Sequence, residues 1–577
     1  MLFALLIGLV PAQVGAALPR DSVDALRRAA QAAEARYERL ARSLAPFTWT
    51  SASGGECDEI VGRFCLRFDS ISTPPAAAEA SGIARAREDA VEAARRHFAA
   101  APGDRHAAGP LVRLLVREGR TSEAASAAGA FAVFTTDTLW GHLLVGFAHH
   151  RDGDHDAAEQ HFTAGLQRMD PAERRRWLDV SWLVSDRELR ALRRLSPGQR
   201  QAYERRLWLL SDPFWVSAAN ERWNEHMSRH VEARLLARVP PVAGAVAWGD
   251  DQDELTVRYG TPTSAERMRG STASMGPDPL LEHWDTAGRA YIPPALLVEG
   301  FPGVPEPGAK PVLYAARSRS AWAMTTVRHV LEPEHQVTRF LDGRSVLLRI
   351  DGVFGDSVRH EPPPVTMLIA WDSALAVRAE QRTATRRAGD SVTFSTVMRA
   401  PPGLGVYSVE ALDTARGVAV RARYALEARI PGAGLVVSDI LVAFPVPATA
   451  QPATPDDPAL RGRPSLQLGR GDTVGLYAEV YRRTAAGAVR VEVALEPAGA
   501  PHLLVQAARW IGRVVTGAPE PTDPRVEWTT GESGPTLPIV LNLPLPPDRR
   551  GLQEIVLRVT DAVSGESAVS RRLVRIR

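Results

Sequence analysis

The chain has 577 residues, which is too many for a single hydrophobic core, and we expect roughly three to four domains. Its formal net charge is only +2 at pH 7, with acidic and basic residues interspersed, which argues against binding to nucleic acid or to an anionic membrane surface. Lys310 is the only lysine, and its surroundings lack the spacing of a nucleotide-binding loop. Schiff-base, kinase-type and phosphate-loop chemistry would need a lysine that the chain does not have elsewhere.

The N-terminal residues have the pattern of a signal peptide. Leu2 to Val10 form an apolar run that is too short to span a bilayer, and Val14-Gly15-Ala16 places small residues where signal peptidase cleaves. Residues 1–16 are therefore predicted to be a signal peptide, although the usual positively charged front end is missing. We expect an exported protein, periplasmic or extracellular, with no transmembrane segment.

The only two cysteines, Cys57 and Cys65, are eight positions apart. In an exported chain such a pair favours a disulfide, with free buried thiols as the alternative. Two thiols alone make a poor zinc site, and the Cys-x-x-Cys redox spacing is absent from the sequence.

The first part of the chain is predicted to be helical. Residues 17–82 combine a helix from Asp21 to Leu44 with the segment that carries the cysteines. In residues 83–170 a 34-residue period relates Ala90, Ala124 and Ala158. Small residues at this period let paired helices pack closely.

This repeat resembles the tetratricopeptide repeat, in which Ala158 and Phe162 occupy the positions of the alanine and aromatic contacts. His142 departs from the pattern, because a large apolar residue is usual there. The resemblance implies either a groove that binds a protein or peptide partner or a helical spacer.

Residues 171–311 are predicted to continue with helices and then to form a small α/β unit. Pro171 fits a first helical turn after Asp170. Two capping boxes follow, at Ser185 to Glu188 and at Ser196 to Gln199. The alternation in Leu255 to Tyr259 predicts a strand.

The rest of the chain is predicted to be two antiparallel β-sandwiches, at residues 312–444 and 465–577, with a Pro-rich linker at 445–464. A repeat at an offset of 148 residues supports two modules, because alternating apolar residues before Asp413 and Gly417 recur before Asp561 and Gly565. This pattern predicts a hairpin with one buried face in each module.

Motifs in the middle of the chain occur in a recognisable order: Asp212-Pro213, Asn220-Glu221, Trp248 with Asp251, Arg258-Tyr259-Gly260 and Glu282-His283-Trp284. The order resembles the GWxTD domain, a family of exported bacterial proteins with no assigned reaction. Ala247 and Asp250 stand where the naming motif has glycine and threonine. The resemblance therefore implies a domain and a location, but no catalytic residue and no cofactor.

We interpret the residues around this motif as a structural keystone that joins the helical half to the β-rich half. Trp248 is expected to anchor the turn on the preceding helices. Asp250 and Asp251 would brace the turn, with Arg258 as their ion-pair partner, and Tyr259 lies beside them in sequence. The same residues are the only candidates for a binding site in the motif.

The enzyme alternative rests on His226 and His230. They are four residues apart on a predicted helix, so both imidazoles would project from one face and could share a metal ion with Glu221 or Glu225. A hydrolase would place its site there together with Asp250 and Asp251. A scaffold would instead use these residues in local contacts. We favour the scaffold interpretation.

Overall fold

The computed structural model describes most of the helical half and most of the two β modules. Described are residues 19–43, 47–48, 59–66, 81–239, 248–262, 264–268, 280–283, 320–322, 324, 327, 329–354, 364–371, 376–388, 391–428, 434–482, 487–498, 525–531 and 534–577.

The N-terminal half of the described chain is mainly helical. They are α1 (Arg20–Ser43), α2 (Ser81–Ala100), α3 (Arg105–Arg117), α4 (Thr121–Phe134), α5 (Thr138–Asp152), α6 (His155–Arg168), α7 (Pro171–Leu178), α8 (Asp186–Leu192), α9 (Pro197–Ser211), α10 (Glu221–Leu236) and α11 (Asp250–Tyr259). None of the described helices is long and apolar enough to cross a membrane.

Helices α1 to α6 pack in sequence, each against the next, around one apolar core. Ala90, Ala124 and Ala158, at the 34-residue period, are each at most 1% exposed, so small residues do lie where helices approach closely. A Cβ on Gly146 of α5 would come within 2.8 Å of the Phe162 ring on α6. The 34-residue period therefore marks positions at which neighbouring helices pack closely.

The N-terminal caps predicted for the next three helices are confirmed. Both Ser185 and Ser196 accept from the backbone of their N3 residue, whose own side chain accepts from the N-cap backbone. Asp170 caps α7, with Pro171 in its first turn.

Helix α10 lies across the face formed by α3, α5 and α6. Its residues Met227, Val231 and Leu235 belong to the same buried cluster as the repeat helices. A Cβ on Gly109 of α3 would come within 2.9 Å of Leu235. This face of the repeats is thus covered by the chain's own helix.

The strands are β1 (Phe47–Thr48), β2 (Glu59–Val61), β3 (Phe64–Leu66), β4 (Ser264–Met268), β5 (Leu280–His283), β6 (His329–Leu331), β7 (Glu334–Asp342), β8 (Ser345–Phe354), β9 (Val365–Trp371), β10 (Ala376–Thr383), β11 (Arg386–Ala388), β12 (Ser391–Ala400), β13 (Gly403–Asp413), β14 (Val418–Ala428), β15 (Val436–Val437), β16 (Leu441–Ala443), β17 (Gln467–Leu468), β18 (Thr473–Tyr481), β19 (Val489–Pro497), β20 (Arg525–Thr530), β21 (Thr536–Pro544), β22 (Gly551–Asp561) and β23 (Ser567–Ile576).

Two sandwiches form from these strands. The first packs the sheet β10-β9-β13-β14-β6 on the sheet β11-β12-β8-β7, and the second packs β15, β18, β16 and β21 on β17-β23-β22-β19-β20. One apolar core lies between the sheets of each pair. The two predicted hairpins are confirmed as antiparallel pairs β13–β14 and β22–β23, with Gly417 and Gly565 at positive φ in the turns.

The predicted boundary between the sandwiches is wrong. β15 and β16 lie before residue 444 but pair with β18 of the second sandwich. The predicted linker 445–464 is an ordered strap, because Val446 and Leu460 are buried with Phe340 of the first sandwich and Tyr477 of the second. Buried Arg349 donates to the carbonyl oxygen of Leu460 at 2.6 Å and fixes the strap.

The predicted strand from Leu255 to Tyr259 is also wrong, because these residues form the second half of α11. Its first turn carries Asp250, Asp251 and Asp253, which favour the positive end of the helix dipole. Glu254 and Arg258 pair at 2.8 Å with the four-residue spacing that supports a helix. Strands β4 and β5 pair beyond it, so this part of the chain does combine helix and sheet.

Candidate functional site

The N-terminal turn of α11 binds the short hairpin formed by β2 and β3. Arg63 donates from Nε to Asp251 Oδ2 and from Nη2 to Oδ1, both at 2.5 Å, and its backbone N–H donates to Oδ2 at 3.1 Å. The approach is close because a Cβ on Gly62, where φ is +54°, would come within 2.4 Å of the Asp251 side chain. The Arg63 hydrogen bonds lower the pKa of Asp251 to about 2.

The other end of α11 binds the same hairpin through Glu59. Arg258, which is fully buried, donates to Glu59 at 2.5 Å, and the Tyr259 hydroxyl donates to the same carboxylate at 3.3 Å. Burial raises the pKa of Tyr259 to about 12, so the phenol stays protonated. The predicted pairing of Arg258 with Asp250 or Asp251 is wrong, because Glu59 and Glu254 take up Arg258 and Arg63 takes up Asp251.

Trp248 lies just before α11 and is partly buried. Its Nε1 donates to Asp253 at 2.8 Å, which ties the turn to the helix that follows. Burial raises the pKa of Asp253 despite this bond. Asp250 is exposed, so it contributes to the helix N-terminus but does not brace the turn.

Arg229 of α10 fixes the C-terminus of α11. It donates to the carbonyl oxygen of Arg258 at 2.6 Å and to that of Ala321 at 2.8 Å. Carbonyl groups at the end of a helix lack partners within it and carry partial negative charge, so a buried guanidinium is well placed here. Gly260 adopts φ of +79° directly afterwards, which lets the chain leave the helix.

His226 and His230 belong to a longer stripe on α10. Arg222, His226, His230 and Arg234 recur at intervals of four, and two tryptophans interleave with them. Trp208 of α9 packs on Arg222 and His226, and Trp177 of α7 stacks on His230 at 5.0 Å and lies under Arg234. The two imidazoles touch edge to face at 4.7 Å between ring centroids.

Both imidazoles in this stripe are held neutral. Burial and the neighbouring His230 and Arg222 depress the pKa of His226 far below its usual value. Burial and Arg234 lower the pKa of His230 to about 3. His226 Nε2 bonds the carbonyl oxygen of Trp177 at 3.0 Å and therefore donates.

The opposite side of α10 carries a buried cluster of charge around Glu225. Arg229 donates to it at 2.5 Å, His150 bonds it at 2.8 Å, and Arg151 lies at 3.4 Å. Burial alone would raise the pKa of Glu225, but these partners together hold it well below its usual value. Both oxygens of this carboxylate are therefore engaged by side chains of the same chain.

The predicted enzyme site therefore does not assemble. His226 and His230 lie between two tryptophans, Glu225 faces the other way, and Asp251 is bound to Arg63. Within the described part of the chain, no group of three His, Cys, Asp or Glu side chains is placed to hold a metal ion.

The helical half is joined to the β-rich half at another loop, which was visible in the sequence only as a motif. Residues 211–216, after α9, dock on the first sandwich, where Arg423 donates to the carbonyl oxygens of Leu210 and Asp212 and lies 3.9 Å from the centre of the Trp215 ring. Fully buried Glu410 pairs with Arg423 at 2.8 Å and accepts from the Val216 N–H at 3.0 Å.

The keystone interpretation is corrected accordingly. The Trp248–Asp251 turn joins the helices to the β2–β3 hairpin, whereas the 211–216 loop joins them to the first sandwich. The only hint in the sequence was the dense Trp208 to Trp215 segment, whose aromatic residues need a partner surface. Cys57 and the side chain of Cys65 lie outside the described residues, so their disulfide stays a prediction.

Comparisons with known proteins do not assign the chain to a family. No family model and no curated protein matches it. Among solved structures, Escherichia coli alpha-2-macroglobulin activated by porcine elastase is 12% identical, covering 45% of this chain and 24% of that one, with a TM-score of 0.15. Its native conformation is 11% identical, covering 44% and 15%, with a TM-score of 0.14. The chain spans a quarter or less of these proteins, and so slight a likeness supports no conclusion about function.

Proposed function

We propose that the chain is an exported, non-catalytic scaffold or binding protein of the bacterial envelope, of the GWxTD type, with tetratricopeptide-like repeats in its helical half. The observation that carries this proposal is the use of the motif residues. Asp251, Arg258 and Tyr259 all bind one hairpin of the same chain, through Arg63 and Glu59. Groups engaged in this way hold a structure together and are not available for a reaction.

The connections between the parts also support a rigid scaffold. The helical half docks on the first sandwich through the fully buried Arg423–Glu410 pair, and the 445–464 strap packs between the two sandwiches. A catalytic protein needs one accessible site, whereas a scaffold needs a fixed spacing between distant surfaces. The contacts along this chain serve the second need.

A partner protein or peptide is expected on the helical half. The α3–α5 face is covered by α10, so the partner surface lies elsewhere on the repeats. Val133 and Phe134 at the end of α4 are 79% and 63% exposed, which is unusual for adjacent large apolar residues.

Two measurements on the full chain test this proposal. Elemental analysis of the purified protein should find no stoichiometric zinc or calcium. A stoichiometric metal that is lost from a His226→Gln/His230→Gln variant would instead support the hydrolase alternative.

Photo-cross-linking in the producing cell tests the binding role. A photoreactive residue at Phe134 should give a discrete protein adduct. The control is the same residue at Val563, which is 83% exposed in the second sandwich. No adduct at Phe134, or equal adducts at both positions, would contradict binding through the repeats.

A further inference from the structure

Helix α10 separates two pairs of histidines, each with one buried and one partly buried member. On one side, His150 and His155 come from the end of α5 and the start of α6. On the other side, His226 and His230 belong to α10 itself and face α7 and α9. With α10 docked, His150 and His226 are buried, and His155 and His230 are partly buried.

The first pair forms a chain of polar contacts with α10. His150 Nε2 lies 2.8 Å from Glu225, its Nδ1 lies 3.2 Å from His155 Nδ1, and His155 Nε2 lies 3.8 Å from Glu221. The His155 backbone also takes part in this contact, because the Asn224 side chain donates to the carbonyl oxygen of His155 at 2.9 Å. This contact links α10 to the turn between α5 and α6.

Burial opposes protonation of these histidines in the docked state, and the charges around them act in both directions. The charged groups that face them are Arg151 of α5, Asp154 and Asp156 at the start of α6, Glu173 of α7, and Glu221, Arg222, Glu225, Arg229, Glu232 and Arg234 of α10. Glu225 raises the pKa of His150, and Glu221, Asp154 and Asp156 raise that of His155, but burial outweighs these carboxylates. At His226 and His230, burial and the neighbouring arginines both lower the pKa.

We propose that α10 is an acid-sensitive latch, which stays docked while His150, His155, His226 and His230 are neutral and is released from the repeat face when they protonate. Release would uncover the face of α3 and α5 on which Met227, Val231 and Leu235 pack. This inference goes beyond the scaffold role and does not depend on it.

The sign of the effect follows from burial. Burial lowers the pKa of each of the four histidines, so the docked state prefers the neutral form. The resulting stabilisation is complete above the ordinary histidine pKa of about 6.5 and is lost as pH falls below it. Between pH 7.5 and pH 5.5, each histidine that protonates only in the open state raises the opening equilibrium constant by up to about tenfold.

Hydrogen exchange of the full chain, read by mass spectrometry at pH 7.5 and pH 5.5 and corrected for intrinsic rates, tests the latch. Amides of α10 should lose protection by about tenfold to a hundredfold or more at pH 5.5. The β22–β23 hairpin contains no histidine and serves as the internal reference, with unchanged protection.

Variants separate the latch from general acid sensitivity. His150→Gln with His155→Gln should reduce the pH response of α10 by up to about a hundredfold. The matched control is His149→Gln, because His149 is the partly exposed neighbour that pairs with Asp154 on the surface, and it should leave the response unchanged. If the double variant fails to fold, the wild-type profile decides alone. Equal protection of α10 at the two pH values, or loss of protection that is the same in the reference hairpin, would overturn the proposal.

Discussion

Asp251 and Arg63 lie 188 positions apart in the chain and meet in a two-pronged ion pair, with both N···O distances at 2.5 Å. The pair joins the first turn of α11 to the β2–β3 hairpin, while Arg258 and Glu59 join the other end of the helix to the same hairpin. We call these two ion pairs the clasp. Part of the motif that gives the chain its resemblance therefore binds another segment of the same molecule. Asp251, Arg258 and Tyr259 of this motif contact other parts of this chain.

The Arg423–Glu410 pair should be the energetic centre of the junction with the first sandwich. Both side chains are fully buried, so Arg423→Ala leaves an unpaired carboxylate and should lower the free energy of unfolding by about 3–5 kcal/mol. Arg399→Ala is the control, because the Arg399–Asp342 pair is 74% and 41% exposed and should contribute less than about 1 kcal/mol. Urea denaturation followed by tryptophan fluorescence measures both, and equal effects would contradict the assignment.

Two glycines in neighbouring repeat helices should respond to alanine in opposite directions. Gly146→Ala places a methyl group against the Phe162 ring and should cost about 1–3 kcal/mol. Gly129→Ala on α4 meets no atom within 4 Å and should stabilise by about 0.5–1 kcal/mol. Thermal unfolding of the two variants checks the helix pairing, and the same sign for both would show that the helices pack differently.

His335 should make the first sandwich sensitive to acid. Its Nδ1 donates to the carbonyl oxygen of Pro333 and its Nε2 accepts from the Tyr407 hydroxyl at 2.8 Å, so the neutral ring is required. Burial lowers the pKa of His335 to about 4, and its contribution is therefore complete above about pH 6.5 and lost as pH falls towards 4. By pH 5 the loss should reach up to about 2 kcal/mol.

The readout for His335 is urea denaturation at pH 7.5 and pH 5. His335→Gln should flatten the difference between the two, because glutamine does not titrate. An unchanged pH dependence in the variant would show that other groups dominate the acid response of this sandwich.

Cys57 and Cys65 are predicted to form a disulfide close to the clasp. Backbone pairing places Cys65 opposite Ile60 in the hairpin, and Cys57 comes two residues before Glu59. Peptide mapping without reduction should recover the two cysteines in one linked fragment. Two free thiols in the exported protein would refute the pairing.

Local patterns in the sequence predicted much of the fold. The Ser185 and Ser196 caps act within four residues, and the strands alternate because one face is buried, so both could be predicted from neighbouring residues. The 148-residue offset also located both hairpins. Each of these features depends on residues that are close in sequence or on a repeated pattern.

Contacts between distant residues account for the errors. Leu255, Val257 and Tyr259 alternate like a strand, yet all three are buried on α11, which packs on α10 and on the hairpin. The helix signals were present in the acidic first turn and in the Glu254–Arg258 spacing, but the alternation outweighed them. β15 joins the second sandwich because Val436 pairs with Tyr481, and no local pattern specifies that partner.

The candidate site was only partly predictable for the same reason. The histidine spacing on α10 was visible, but the two tryptophans that enclose it come from α7 and α9. Glu59 and Arg63 carried no signal in the sequence, since a charged hairpin residue is usually solvated. Their role depends on a contact with a helix almost two hundred residues away.

The Glu59–Arg258 pair of the clasp is tested most directly by a double-mutant cycle on the free energy of unfolding. The cycle uses Glu59→Gln, Arg258→Gln and the double variant. Because Arg258 is fully buried and the Glu59 side chain is only 16% exposed, we expect the two substitutions to be coupled by about 1–3 kcal/mol. Additive effects of the two substitutions would contradict the clasp.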